Sequence, residues 1–239
     1  MDWRDEGILL RTQRHGEATA IIEVFSALHG RHAGAVRGGG SRKMAATLQP
    51  GAQLDLTWRA RLEEHLGSFS VELLQARAGR ILGDRLALAA LNSVCALCRY
   101  ALPERMAYPG FYARTVDLLD QLGQPGWLRL YALWEVHLLE TAGFGLDLQQ
   151  CAVTGAQSGL AYVSPRTGRA VTVAGAGAYA DRLLTLPAAL IDARAGFSTT
   201  ELRQALHLTG YFLQHWLAES TGRALPEARA RLVALLETP

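Results

Sequence analysis

Thr19-Ala20-Ile21-Ile22-Glu23-Val24-Phe25, then Leu28-His29-Gly30, then Arg31-His32-Ala33-Gly34-Ala35-Val36-Arg37: this stretch decides the fold. Its first run is rich in β-branched and aromatic residues, a turn follows, and the chain returns as a second extended run. Side chains alternate along a strand, so Arg31, Ala33, Ala35 and Arg37 share one face and Gly34 and Val36 lie on the other. Working outward, Ile8–Thr12 is a short strand candidate on the N-terminal side. On the C-terminal side Gly38-Gly39-Gly40-Ser41 breaks the chain into a loop, and Gln49-Pro50-Gly51 breaks it again. Leu54, Leu56 and Trp58 alternate with Asp55, Thr57 and Arg59. Phe69, Val71 and Leu73 alternate with Ser70 and Glu72. Both series predict half-buried strands with Trp58 and Phe69 on core faces. Five strands with turn signals at intervals of about ten residues predict a small closed barrel. The OB-fold is the usual five-stranded case.

Near residue 80 the apolar period changes from two to about 3.6. Asp84 can cap a helix whose buried stripe is Leu88, Leu91, Cys95, Cys98 and Leu102, ending at Pro103. Phe111, Thr115, Leu118 and Leu122 form a second stripe, closed by Gly123. Trp127–Ala142 predicts a third helix with Leu130, Trp134, His137, Leu138 and Thr141 along one side and Gly143 as its C-cap. Residues 145–180 lose periodicity and gain Gly, Ser and Pro. Helical patterning resumes over Leu183–Ala193. Ser198 or Thr199, with Glu201, can cap a helix over Thr200–Ser220 that carries Leu202, Leu206, Thr209, Leu213 and Trp216. Pro226 suits the first turn of a last helix reaching Leu236. The class is α+β: a five-stranded OB-fold barrel over residues 1–80, then an α-helical domain over residues 81–239.

The chain has 239 residues, 49% hydrophobic and 19% charged, a composition that supports a buried core and argues against disorder as the main state. No apolar run is long enough to span a bilayer. Met1-Asp2-Trp3-Arg4-Asp5-Glu6 lacks the apolar segment of a signal peptide, so a cytoplasmic protein is expected. The three cysteines, Cys95, Cys98 and Cys151, are too few for a disulfide framework and suit a reducing compartment.

The net charge of +2 says little, but its distribution says more. From Leu28 to Ala46 there are Arg31, Arg37, Arg42, Lys43 and two histidines, and no acid. Lys43 is the only lysine in the chain. Gly38-Gly39-Gly40-Ser41-Arg42-Lys43 superficially resembles a phosphate loop, yet Met44 stands where a Walker motif needs a hydroxyl. No GxSxG and no dinucleotide fingerprint follows a strand. A glycine-rich loop ending in Arg-Lys beside strand-borne arginines suits a nucleic-acid backbone, because glycines allow close approach and cations displace condensed counterions. It equally suits a solvated hairpin loop. The candidate nucleic-acid-binding residues are Arg31, Arg37, Arg42 and Lys43, with Arg14 and Arg59 on neighbouring strands. Trp3 suits either packing or a base platform. Cys95-Ala96-Leu97-Cys98 can be read as a zinc half-site, a redox pair, or two small apolar residues of a buried stripe. Its mid-helix position supports the last. The histidines show no metal-pair spacing, and no catalytic constellation is visible.

Several segments, in order, resemble the RecO family. Trp3-Arg4-Asp5-Glu6-Gly7-Ile8-Leu9-Leu10 resembles its opening strand and His15-Gly16-Glu17-Ala18-Thr19 its recurring turn. Phe25-Ser26-Ala27-Leu28-His29-Gly30-Arg31 and the basic stretch Arg37–Lys43 followed by Leu48-Gln49-Pro50 resemble the segments that come next. Ala142-Gly143-Phe144-Gly145, Cys151-Ala152, Ser164-Pro165 with Gly168, and Gly222-Arg223-Ala224-Leu225 with Arg229 carry the similarity to the C-terminal part. Order and spacing, more than any one motif, carry the resemblance.

The resemblance implies an OB domain, a helical domain and a small inserted zinc-binding or zinc-like lobe, here at about residues 146–180. It implies no enzyme, but a DNA repair and recombination mediator. Such a protein binds single- and double-stranded DNA, anneals complementary strands and helps to load recombinase. The implied partners are RecR, the C-terminal tail of single-strand-binding protein and in some members RecF, with a cytoplasmic, nucleoid-associated location during repair. This chain departs from the zinc-bearing members: Cys151 is followed by Thr154 where a second cysteine would stand, and no cysteine follows. Zinc needs about four ligands, so a lobe held by packing, with no metal and no other cofactor, is expected. An RNA-binding OB-fold adaptor is the second reading of the same pattern.

Overall fold

The structure is a computed structural model and describes residues 1–192 and 197–237. Its compact units are Met1–Gly123 with Pro226–Leu232, and Gln124–Leu225 with Val233–Pro239.

The first unit opens with strands β1 (Asp2–His15), β2 (Thr19–Ser26) and β3 (Gly30–Arg37). A short helix α1 (Arg42–Thr47) precedes β4 (Gln53–Arg59) and β5 (Ser68–Gln75). Helices α2 (Arg77–Arg80), α3 (Arg85–Ala101) and α4 (Pro109–Gln121) follow. The strands join in the order β1-β2-β3-β5-β4 and close into a barrel. One long strand makes the closure: β1 pairs with β4 over Asp2–Ile8 and with β2 over Gly7–His15, with an irregularity between Leu9 and Arg11. The β3–β5 seam is a single parallel bridge, Ala35 to Ser68. Leu9, Ile22, Val24, Leu54, Leu56 and Trp58 fill the interior.

Three expectations change here. The first strand is far longer than Ile8–Thr12, because its N-terminal half turns Arg4 and Glu6 outward and so hides its apolar face. Leu73 does not join Phe69 in the core but is 42% exposed. Beyond Ser68, β5 is paired only with β4, and it leaves the core as it runs on. Arg42 and Lys43 are not loop residues but open α1, which Ser41 caps by accepting from the Met44 N–H at 3.3 Å. Six residues are too few for a helical period to show in the sequence.

Asp84 caps α3 as its sequence suggests, accepting from the Leu86 and Ala87 N–H groups at 3.0 Å. Leu91, Cys95, Cys98 and Leu102 are buried along it. Burial pushes the Cys95 thiol up to about 12 and the Cys98 thiol well above its ordinary value, so both behave as small apolar groups. Cys95 Sγ lies 3.8 Å from the Leu9 carbonyl of the barrel.

The second unit begins with α5 (Trp127–Thr141). Gly143 takes a left-handed conformation (φ 88°) and donates to the Glu140 carbonyl, while Phe144 donates to that of Leu139. This closes the helix as a Schellman motif. The buried face of α5 is Trp127, Tyr131, Trp134, Glu135 and Leu138; Leu130 is exposed and His137 half-buried. Glu135 is the residue the stripe misses. An acid is expected outside, but here it is fully buried and accepts from the Tyr131 and Thr209 hydroxyls.

A small sheet follows, of β6 (Leu160–Val163), β7 (Ala170–Thr172) and, after helix α6 (Val173–Ala176), β8 (Leu184–Thr185), ordered β7-β6-β8. The helix expected over Leu183–Ala193 is instead β8 and a 3-10 turn at Ala188–Leu190. Pro187 lacks an N–H and disfavours helix in the residue before it. Ala193 lies outside the described residues. Helix α7 (Thr199–Phe212) starts with the full Ser198–Glu201 capping box. It continues through a π-helical stretch, Leu213–Ala218, into the short α8 (Glu219–Thr221), and α9 (Glu227–Glu237) is the last helix among the described residues. Among the described residues, no helix is long and apolar enough to cross a membrane.

Candidate nucleic-acid interface

Strand register sets the basic face. Across β1, β2 and β3 the rows are Arg11–Glu23–Ala33, Gln13–Ile21–Ala35 and His15–Thr19–Arg37. The rows between them, Thr12–Ile22–Gly34 and Arg14–Ala20–Val36, put Ile22, Gly34, Ala20 and Val36 inside, so Arg14 shares the hairpin end with Arg37 but not its strand face. Arg37 therefore leaves the barrel surface beside the β1–β2 hairpin. The chain then folds back on that hairpin: Gly40 N–H donates to the Ala18 carbonyl at 3.3 Å. Gly39 permits the approach, since a Cβ there would come within 2.8 Å of Ala20 Cβ and 2.9 Å of the Val36 carbonyl oxygen. Arg42 and Lys43 are thereby delivered to the same end of the barrel as Arg37 and Arg14. All four are exposed, and none of their side chains makes an ion pair or hydrogen bond among the described residues. Glu17 is the acid on the hairpin tip.

The other two candidates lie elsewhere. Arg59 is exposed but sits at the far end of β1, paired across the sheet with Asp2 and Ser68. Arg31 is on the expected face, yet its guanidinium is occupied. Nη1 donates to Glu23 at 3.0 Å and faces Glu104 at 3.2 Å, and Nε donates to the Leu102 carbonyl at 2.9 Å. The side chain is 16% exposed. Arg31 is therefore a tie between the barrel and the end of α3.

Glu23 is the centre of this cluster. Arg99 from α3 donates to it at 2.9 Å and Arg11 lies at 3.7 Å, so three guanidiniums share one carboxylate. Burial pushes the Glu23 carboxyl up, but Arg99 first and then Arg31 outweigh this and hold it below its ordinary value. A second tie is built on Arg77, which is fully buried. It donates to Asp120 at 2.6 Å, the Gly51 carbonyl at 3.2 Å and Gln53 Oε1 at 3.0 Å. Neither Glu23 nor Arg77 stands out in the sequence, because their partners lie far along the chain.

The residues of the small lobe do not fit zinc. Cys151 Sγ accepts from the Thr172 N–H at 3.3 Å and the Thr154 N–H at 3.4 Å, and lies 3.5 Å from Thr172 Oγ1. Burial pushes this thiol up, but the hydrogen bonds from Thr154 and Thr172 outweigh it and hold it at about 6. The sulfur is thus satisfied within the chain, packed with Val171 and Ala176. Among the described residues no group of three or more His, Cys, Asp or Glu could hold a metal ion.

Comparison with known sequences agrees with this architecture. Residues 1–77 match the family described as Recombination protein O N terminal, and residues 82–224 match Recombination protein O C terminal. A protein of Cereibacter sphaeroides named DNA repair protein RecO is 58% identical over 236 residues, covering 99% of this chain and 98% of the relative. Proteins of the same name from Roseobacter denitrificans and Jannaschia sp. are 58% and 56% identical, each with 97% of its length covered. They cover 98% and 99% of this chain. With both halves matched in order and relatives aligned almost end to end, the chain belongs to the RecO family.

Proposed function

We propose that this protein is a DNA repair and recombination mediator that works by binding rather than by covalent chemistry. Its N-terminal barrel acts as an OB-fold, residues 1–80 carry the principal DNA-binding surface, and residues 81–239 form the helical domain with a metal-free lobe at about residues 146–180. The observation that carries this reading is the gathering of Arg14, Arg37, Arg42 and Lys43 at one end of the barrel, exposed and unpaired among the described residues. Cations that make no ion pair among the described residues are free to replace the counterions of a phosphate backbone. Such a surface screens the repulsion between two strands while they find register, and annealing asks no more of a protein.

In this reading single- and double-stranded DNA are the ligands. RecR, the C-terminal tail of single-strand-binding protein and, in some settings, RecF are the protein partners during recombinase loading. Filter-binding competition among single-stranded DNA, duplex DNA and structured RNA tests it. Retention of single-stranded DNA against excess RNA, together with accelerated annealing of complementary strands, is expected. Preference for structured RNA would favour the adaptor reading instead.

A further inference from the structure

The end of the barrel away from the basic cluster is closed by rings. Trp58 is buried, and Trp3 lies over it at 5.9 Å with an interplanar angle of 21°. His29, on the β2–β3 turn, stacks on Trp3 at 4.0 Å and 6°. Three planar groups thus form a series running from the core to the surface. Trp58 is buried, Trp3 is half-buried and the His29 side chain is 30% exposed, so His29 is the ring of this series that solvent reaches from the β2–β3 turn. Asp5 fixes the imidazole: it faces His29 Nδ1 at 3.3 Å and also accepts from the Leu28 N–H at 3.1 Å. A ring held this way loses little freedom when another ring settles on it.

We propose that His29 is a base platform, receiving one unpaired nucleobase of a single strand on the exposed face of its imidazole. The inference rests on the DNA-binding reading and adds to it a second interaction of a different kind. Stacking tolerates any base, because every base has a π-face. Beside this series Leu28 is 67% exposed, an apolar flank for the base edge. Arg59 and Arg61 are exposed and make no ion pair among the described residues. Arg105, held by its N–H on the Arg31 carbonyl at 2.8 Å, reaches the His65 carbonyl with Nη2 at 3.1 Å. Glu63 and Glu64 share the loop with Arg61, so these charges largely offset one another. The base, more than the phosphate, is therefore what this end of the barrel recognises.

The test uses the full chain and two labelled strands of equal length and charge, oligo(dT) and an abasic strand with the same number of phosphates. Wild type is expected to bind oligo(dT) more tightly than the abasic strand. His29→Ala should weaken oligo(dT) about five- to tenfold, the low end for one stacked base, and leave the abasic strand and the salt slope unchanged. His29→Phe should keep the preference. The R37A/R42A/K43A protein should lose affinity for both strands alike while keeping the preference. A His29→Ala protein with an unchanged melting curve that binds both strands as wild type does, or weakens on both equally, overturns the platform but not the DNA-binding reading. Unchanged binding of both strands with loss of a protein partner would assign this end to protein docking instead, and also overturns the platform. If wild type binds neither strand, the DNA-binding reading itself fails, and the platform with it.

Discussion

Arg31 on β3 donates to Glu23 on β2 at 3.0 Å, and the same carboxylate receives Arg99 from α3 at 2.9 Å. One acid on the barrel wall thereby fastens a strand and a helix, and it divides the arginines of this face into two kinds. Arg31 and Arg99 are engaged within the fold, whereas Arg37 has no partner among the described residues and is left facing solvent.

This division predicts opposite outcomes for two arginines at the two ends of one strand. Arg31→Ala removes a part-buried cation from Glu23 and the Leu102 carbonyl and should destabilise by about 1–3 kcal/mol in urea unfolding. Lysine should not restore it, since one ammonium cannot serve the carboxylate and the carbonyl with a planar fork. Arg37→Ala should change stability by no more than ~0.5 kcal/mol. Equal destabilisation at the two positions would contradict the division.

Arg77 gives a larger effect. Its guanidinium is buried and holds Asp120, Gln53 and the Gly51 carbonyl together. Arg77→Ala leaves Gln53 Oε1 and the Gly51 carbonyl without this donor, while Asp120, 36% exposed, keeps Gln75 at 3.1 Å and Arg80 at 3.6 Å; a destabilisation of about 2–4 kcal/mol is expected in the same assay. A value below about 1 kcal/mol would mean that Arg77 is not the tie between β4 and α4.

His32 makes stability depend on pH. It is buried among Trp3, Trp58 and Phe69, and neither ring nitrogen has a hydrogen-bond partner among the described residues. Burial, and then the charges of Arg105 and His29, hold it at about 4, against an ordinary 6.5. Between these values the unfolded chain binds a proton that the folded chain does not. Stability is therefore complete above about pH 6.5 and falls as pH drops, by up to about 3 kcal/mol near pH 4. Denaturant melts between pH 7 and 5 should show this slope, and His32→Phe should flatten it. An equal slope in the variant would place the titration elsewhere.

Metal analysis of the purified protein should find no stoichiometric zinc, and a chelator should leave the melting temperature unchanged. The only cysteine of the lobe is already satisfied by Thr154 and Thr172. About one zinc per chain would contradict this and turn attention to the histidines.

β2 was legible because its run is rich in β-branched and aromatic residues, and β4 because Leu54, Leu56 and Trp58 alternate with Asp55, Thr57 and Arg59. The basic cluster was legible because composition alone isolates Arg37, Arg42 and Lys43 from any acid. What the sequence concealed depends on partners far along the chain. Glu23 meets Arg99 across 76 residues and Arg77 meets Asp120 across 43, and no local period announces either pair. The same holds for Glu135, buried on α5, and Thr209, which lies 74 residues on. Arg31 was readable as a surface cation from its face of the strand, but Leu102 and Glu104, which occupy it, lie about seventy residues on. The short α1 was hidden by its length and the first half of β1 by its outward charges.

The most direct measurement is a salt titration of single-stranded DNA binding by wild type and by the R37A/R42A/K43A protein. We expect the triple variant to fold normally, to bind and anneal more weakly regardless of base sequence, and to show a salt slope shallower by up to ~0.7 for each phosphate it no longer neutralises. A folded variant with unchanged affinity and unchanged salt slope would show that the cluster at the β1–β2 hairpin end is not where this protein holds DNA.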